Sequence, residues 1–447
     1  MNFTSLLFLP LYAVTALLYQ RLESRARALL LLAASWTFFL LESPGSGVIL
    51  FFVTLVTYAA GLLLARSSGK MKTRRLLLTL VLVITLGLLG VFKYSGRFFL
   101  PAGISFYTFQ ALSYVIDVYR GDFPAERRFY RYALYLSFFP QVVAGPIERP
   151  KDLMGQLACA QPVNAGDFRV GGFLMLRGYA KKIMIADAVA PVSDALFADS
   201  ALTGPKVLAA AVLFGLQIYA DFSGYSDIAL GAARLLGIRL TENFKNPYLA
   251  DGIRDFWRRW HITLSRWLRE YVYIPLGGNR KGRLRTAANT LAVFALSGLW
   301  HGGGLHFLCW GLAHGVFVLL EDLTPKKVPG LSALRKAATF LLVSLLWILF
   351  RAPSLGRALA MYAALLSGWG SALQTFAVWV SANRLTFVRL LPAVPLLLFL
   401  RREPSEGDTE PGMRVLWGGY ALFAAVLIGL FMNLASGGAA PFIYFEF

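Results

Sequence analysis

The 447-residue chain contains four histidines, His261, His301, His306 and His314, and three of them fall within fourteen residues. His301 closes an apolar run that ends Leu299-Trp300, and Gly302, Gly303 and Gly304 follow it. An imidazole titrates near neutrality, so it can take a proton from a hydroxyl as a general base. Glycines beside it let the backbone approach a ligand closely. The same residues also read as an interface histidine bonded to a carbonyl, with the glycines as a plain helix break. His261 lies in a Trp- and Arg-rich stretch, Asp251–Tyr273, and reads either as a second catalytic group or as a polar residue facing lipid headgroups. His306 and His314 are eight residues apart, near one helical face, which suits packing or hydrogen bonding. No H-E-x-x-H or paired C-x-x-C is present, so no metal site is expected. Cys159 and Cys309 offer no disulfide framework.

Several polar islands interrupt apolar sequence: Asp221–Asp227, Asn243–Tyr248, Phe139–Gln141 and Gly145–Glu148. Asp, Asn, Gly and Pro make turns, which is one reading of all four. The other is that they shape a polar cavity, with Asp221 and Asp227 pairing with the excess of basic residues. Asp221, Tyr225, Asn246, Arg258, Trp300 and Gln141 are the candidate substrate-binding residues. Neither a G-x-S-x-G elbow nor a G-x-x-x-x-G-K-[ST] loop occurs, which argues against serine-hydrolase chemistry and nucleotide hydrolysis.

The elements that must position these groups are membrane helices. The chain is 57% hydrophobic with mean hydropathy +0.59, and the apolar residues come in blocks. Each block is roughly 15–20 residues, a helix long enough to cross a hydrocarbon core. Runs such as 76–91 lack the alternation of a barrel strand. About eleven to thirteen helices are expected in one membrane domain spanning 1–447. The net charge of +20 resides in short loops, which fits a membrane protein and gives no reason to invoke nucleic acid. The basic loops 21–27, 66–75 and 120–131 alternate with loops poor in charge, which places the amino terminus outside and the basic loops in the cytoplasm. The stretch 221–285 breaks the pattern, being long, polar and aromatic. Between Arg254 and Arg285 nine Lys/Arg face two acids. Trp257, Trp260 and Trp267 share one face of an expected helix over 251–273, which either lies in the headgroup layer or re-enters the protein.

Five stretches resemble the membrane-bound O-acyltransferase family: GISFYTFQALSYVIDVYRG (103–121), FFPQVVAGPIERP (138–150), YADFSGYSDIALGAARLLGI (219–238), NFKNPYLADGIRDFWRRWHITLSRWLREYVYIPLGGNRKG (243–282) and LSGLWHGGGLHFLCWGLAHG (296–315). They are most similar to its bacterial branch of alginate O-acetylation and teichoic-acid D-alanylation proteins, with a family-like core over about 100–320. The resemblance implies an all-α polytopic fold, a ring of tilted helices around a thinned centre with a funnel or tunnel. It implies His301 as the main catalytic residue and His261 as a second functional histidine. It further implies acetyl-CoA as the simplest donor substrate, with no resident cofactor, and a polysaccharide hydroxyl as acceptor, reached directly or through a periplasmic partner protein. D-alanyl transfer to teichoic acid from a carrier-protein thioester is the alternative within the family. A polysaccharide or lipid transporter without catalysis is the alternative outside it. The location implied is the bacterial inner membrane.

Overall fold

Apolar runs that leave water must pair their own backbone groups, and helices do so without a partner strand. The computed structural model describes residues 3–5, 7–159, 163–323 and 331–372, scattered positions between 374 and 384, and 442–443. The amino-terminal helices are α1 (Phe8–Arg21), α2 (Ser24–Glu42), α3 (Pro44–Arg66), α4 (Met71–Tyr94) and α5 (Ile104–Arg120). Local chemistry sets their ends. Ser43 caps α3 ahead of Pro44 at its first position, and Gly121, at φ 85°, terminates α5 in the left-handed region that favours glycine.

The expected span at 131–146 is instead a nine-residue helix, α6 (Phe129–Ser137), followed by a buried series of turns through Phe138–Gly145. Pro140 and Pro146 each lack an amide, so the helix cannot continue. Next come α7 (Pro150–Ala158), α8 (Ala165–Ala180), a π-helical turn (Lys181–Ala186) and α9 (Asp187–Ala198). The longest element is α10 (Gly204–Arg234), with 31 residues. Asp221–Asp227 therefore lies inside a helix and is not a turn. The expected helix over 251–273 is broken into α11 (Ile253–Arg259), α12 (Ile262–Leu268) and a second π turn (Arg269–Tyr273). The chain continues through α13 (Gly282–His301), α14 (Leu305–Glu321), α15 (Ser332–Arg351) and α16 (Leu355–Ala364). Of the one or two spans expected over 355–400, α16 is the described part, and the remainder beyond 372, like the span expected at 414–434, lies outside the described residues apart from the scattered positions.

Five of the described helices are long and apolar enough to cross a membrane alone: α2, α3, α4, α10 and α15. Many of the leucines, valines and phenylalanines on α2, α3 and α4 face outward, as a lipid-facing surface requires. By contrast α5 and α10 are buried on nearly every side.

The contact of α8 with α10 carries the fold's buried charges. A Cβ on Gly178 would lie 2.5 Å from the Gly224 carbonyl oxygen, and one on Gly231 would lie 2.5 Å from that of Gly171. Two glycine pairs seven residues apart thus bring the antiparallel backbones together, the small-residue mode of packing in membranes. The π turn then offers Lys181 and Lys182 to α10. Asp227 accepts from Arg177 at 2.7 and 2.9 Å and from Lys181 at 2.6 Å. Lys182 bridges Asp187 at 2.9 Å and Asp221 at 2.8 Å. Asp221 also accepts from the Ile443 amide at 2.8 Å, and Tyr225 packs between Phe3 and Phe442 at centroid distances of 4.6 and 5.1 Å. Such pairs stabilise little relative to apolar residues, but breaking one strands a charge. Asp227→Ala removes the carboxylate shared by two buried cations and should cost about 3–5 kcal/mol. The expected readout is a much lower yield of monodisperse protein in detergent, partly restored by adding Lys181→Met.

Candidate active site

His301 is the last residue of α13, and the chain leaves it through Gly302 in extended geometry. Its ring is buried among aromatics, 4.8 Å from Trp300, 5.1 Å from Trp310 and 5.2 Å from Phe350 between centroids, all edge-on. The end of α13 is tied down from α5 and α4. Trp300 Nε1 donates to the Ser105 carbonyl at 3.4 Å. Lys93, near the end of α4, donates to the Trp300 carbonyl and, at 3.2 Å, to Ser105 Oγ. The sequence signal for Lys93 was a single cation at the end of an apolar run, which is costly unless paired.

His261 occupies the joint between α11 and α12 with φ 43°, one of two non-glycine residues in the left-handed region among those described. Non-glycine residues are held there only when their surroundings over-determine them. Here they do. The Ile262 amide donates to the Asn243 carbonyl at 3.0 Å, and Asn243 Oδ1 accepts from the Thr263 amide at 3.2 Å and the Thr263 hydroxyl at 2.9 Å. His261 Nδ1 lies 3.2 Å from the same oxygen. A backbone N–H can only donate, so the Asn243 amide is oriented with its oxygen at this point. His261 Nδ1 then carries the proton, and Nε2 is the basic nitrogen. The ring stacks on Phe106 at 6.0 Å and meets Phe222 edge-on at 4.8 Å and Trp300 at 6.0 Å. Trp300 therefore touches both histidines.

The other polar islands brace this joint. The Ile147 amide donates to Thr263 Oγ1 at 3.0 Å, and Glu148 accepts from the Thr241 amide at 2.5 Å and its hydroxyl at 3.1 Å. On the far side of α12, Trp267 stacks on Phe109 at 3.9 Å and donates to Ser113 at 2.9 Å, fastening α12 to α5. Trp260 and Trp267 are thus buried in the protein, as the re-entrant alternative requires.

A cavity of about 270 Å³ opens beside the joint. Arg254, Arg258 and Arg269 line it together with Trp257, Phe294 and Ser297. Ser297 is one helical turn before His301 on α13. Arg254 pairs with Asp322, whereas Arg258 and Arg269 are exposed and make no ion pair among the described residues.

The structure thus brings His261, Trp300 and His301 together and puts Arg258 on the cavity. Asp221 and Tyr225 flank Phe222 on α10, engaged by Lys182 and by the Phe3 and Phe442 rings respectively. Gln141 donates to Gln110 at 2.9 Å in the buried turn region. Asn246 stands in an exposed left-handed turn. Asn243, three residues earlier, is the asparagine that holds His261. No three-residue group of His, Cys, Asp and Glu suited to a metal occurs among the described residues.

The model of the MBOAT, or membrane-bound O-acyltransferase, family matches residues 127–355, which include His261 and His301. The chain belongs to the membrane-bound O-acyltransferase family. This acyltransferase is 34% identical to the probable alginate O-acetylase of Pseudomonas putida over 99% of its own length and 98% of the relative's. It is 36% identical to the peptidoglycan O-acetyltransferase of Helicobacter pylori over 64% of each chain. Its likeness to the teichoic acid D-alanyltransferase of Bacillus subtilis is weaker, 29% over 48% of this chain and 57% of that one. The acyltransferase is an all-α, multi-pass protein of the inner membrane.

One titration reports on the brace. Burial pushes the Glu148 carboxyl up to about 7 from 4.5, against the lowering effect of its Thr241 hydrogen bonds. Its contribution to stability is present below about 4.5 and is lost as pH rises through about 7. Wild type should therefore lose thermal stability relative to Glu148→Gln between those pH values. Melting midpoints of both proteins across that window check this, and parallel curves would refute it.

Proposed function

We propose that the protein transfers acetyl from acetyl-CoA across the membrane to hydroxyls of an extracellular, alginate-like polysaccharide, directly or through a periplasmic partner protein. The observation that carries this reading is the pair of buried histidines meeting at Trp300, beside a cavity lined by Arg254, Arg258 and Arg269 and by Ser297, one helical turn from His301.

In this reading His301 takes the proton of the acceptor hydroxyl as its oxygen attacks the thioester carbonyl. The tetrahedral centre then collapses, the carbon–sulfur bond breaks, and the proton passes to the departing thiolate. His261 shares the buried centre, its basic Nε2 set by Asn243. The cavity is smaller than the ~300–1,000 Å³ that encloses a drug-sized ligand. It suits the slim pantetheine arm, while Arg258 and Arg269 meet phosphates at the mouth as guanidinium groups do. The basic loops then face the cytoplasm, and the helices form a ring around a thinned centre where donor and acceptor meet from opposite sides. Positioning both substrates in one passage removes much of the entropic barrier. The names of the relatives favour acetyl over D-alanyl, and a polysaccharide acceptor.

The deciding experiment is thiol release from acetyl-CoA by membranes carrying wild type or His301→Ala at equal expression, with O-acetyl sugar scored in parallel. Removal of a general base should cost at least about 10²-fold in both readouts. Transport of sugar without thioester cleavage would overturn the enzyme reading. Arg258→Glu should raise KM for acetyl-CoA about tenfold and leave kcat within a factor of about two. An unchanged KM would remove Arg258 from the donor site.

A further inference from the structure

His314, on α14, is fully buried, and Trp257 Nε1 donates to its Nδ1 at 3.2 Å. An indole N–H can only donate, so Nδ1 must accept, and the ring is neutral with its proton on Nε2. That Nε2–H has no hydrogen-bond partner among the described residues. One turn earlier on α14, Trp310 is also fully buried, and its Nε1–H likewise has none. Buried N–H groups are almost always paired, so two unpaired donors on neighbouring rings call for an acceptor that arrives from outside. The rings say where it arrives. Trp310 stands edge-on to His301 at 5.1 Å and to His314 at 5.0 Å. Trp257, which fixes the His314 proton, itself lines the cavity. Both N–H groups are therefore neutral, fixed and within one residue layer of the general base and of the donor's path.

We infer that Trp310 Nε1–H and His314 Nε2–H form the oxyanion hole of the acyl transfer, receiving the thioester carbonyl oxygen as it becomes an oxyanion. The inference rests on the acetyl-transfer reading above. The two groups make and break no covalent bond. Their contribution is larger in the transition state than in the ground state, because the charge they meet develops only there.

The test uses the full-length protein in membranes, and wild-type thiol release from acetyl-CoA is established first. If wild type releases none, the acetyl-transfer reading itself fails, and this inference falls with it. Given an active wild type, Trp310→Phe keeps an aromatic ring but loses the N–H together with the indole's second ring, and kcat should fall by roughly 10²-fold with KM within about threefold; benzothienylalanine at the same position, which keeps the bicyclic shape and lacks the N–H, should show the same fall. His314→Ala should do the same, and His314→Gln, whose amide can donate from a similar place, should recover about tenfold of the loss. A second readout separates a positioning donor from mere packing. Wild type should bind a ketone isostere of acetyl-CoA, in which a methylene replaces sulfur, more tightly than S-ethyl-CoA, which lacks the carbonyl. Trp310→Phe should abolish that preference. Retained kcat in Trp310→Phe and His314→Ala, or an unchanged preference for the ketone, would overturn the assignment. Should His314→Ala fail to accumulate, Trp257→Phe decides for His314: releasing Nδ1 should lower kcat severalfold, and an unchanged kcat would count against it.

Discussion

Asn243 Oδ1 is the atom on which the arrangement of the site depends. It receives the Thr263 amide and hydroxyl and faces His261 Nδ1, while the Asn243 carbonyl takes the Ile262 amide. An unpaired buried amide costs about 1–3 kcal/mol, and a left-handed non-glycine residue costs about as much again. Only a concentrated set of hydrogen bonds keeps such a joint closed in an apolar interior. The segment that carries Asn243 is in turn held by Glu148 through Thr241 and by the Lys245 amide on the Arg259 carbonyl at 2.9 Å. The joint is thus fixed from two sides before any substrate is considered.

Around it the protein uses aromatic rings where water would otherwise enter. Phe106, Phe222 and Trp300 enclose His261, and Trp300, Trp310 and Phe350 enclose His301. Fixed dipoles act more strongly in such surroundings than in water. In the proposed reaction, the same enclosure would keep water from competing with an acceptor hydroxyl for an activated acyl group.

Much of this was readable beforehand, and the rest failed for identifiable reasons. Apolar block length located the helices, because hydrocarbon thickness and helix rise allow few alternatives. His301 stood out because a lone ionisable group at the end of an apolar run needs a purpose. Two places needed the tertiary structure. Asp221–Asp227 reads equally as a turn or as acids paired with the excess of basic residues; the pairing is what the structure shows, and composition alone does not reveal that the partners are Arg177, Lys181 and Lys182 on a neighbouring helix. The Trp/Arg segment looked like one continuous helix, since its tryptophan spacing is helical on both sides of the break. What bends it at His261 is Asn243, eighteen residues away. The sequence pointed to Asn246 and not to Asn243, the asparagine that holds His261, for the same reason. Two asparagines in one short motif have equal polarity, and only the tertiary partner distinguishes them.

Tyr225 packs between Phe3 and Phe442, and the Ile443 amide completes Asp221. Residues from opposite ends of the chain therefore finish the same buried face of α10. A ribosome adding about 5–20 residues per second needs roughly 10–40 s to travel from Tyr225 to Phe442. Throughout that interval the charged face of α10 has its lysines but not its last ring or amide. Packing around Tyr225 and Asp221 is therefore completed only once Phe442 and Ile443 have been made, and a newly inserted chain spends that time with this face of α10 incompletely covered.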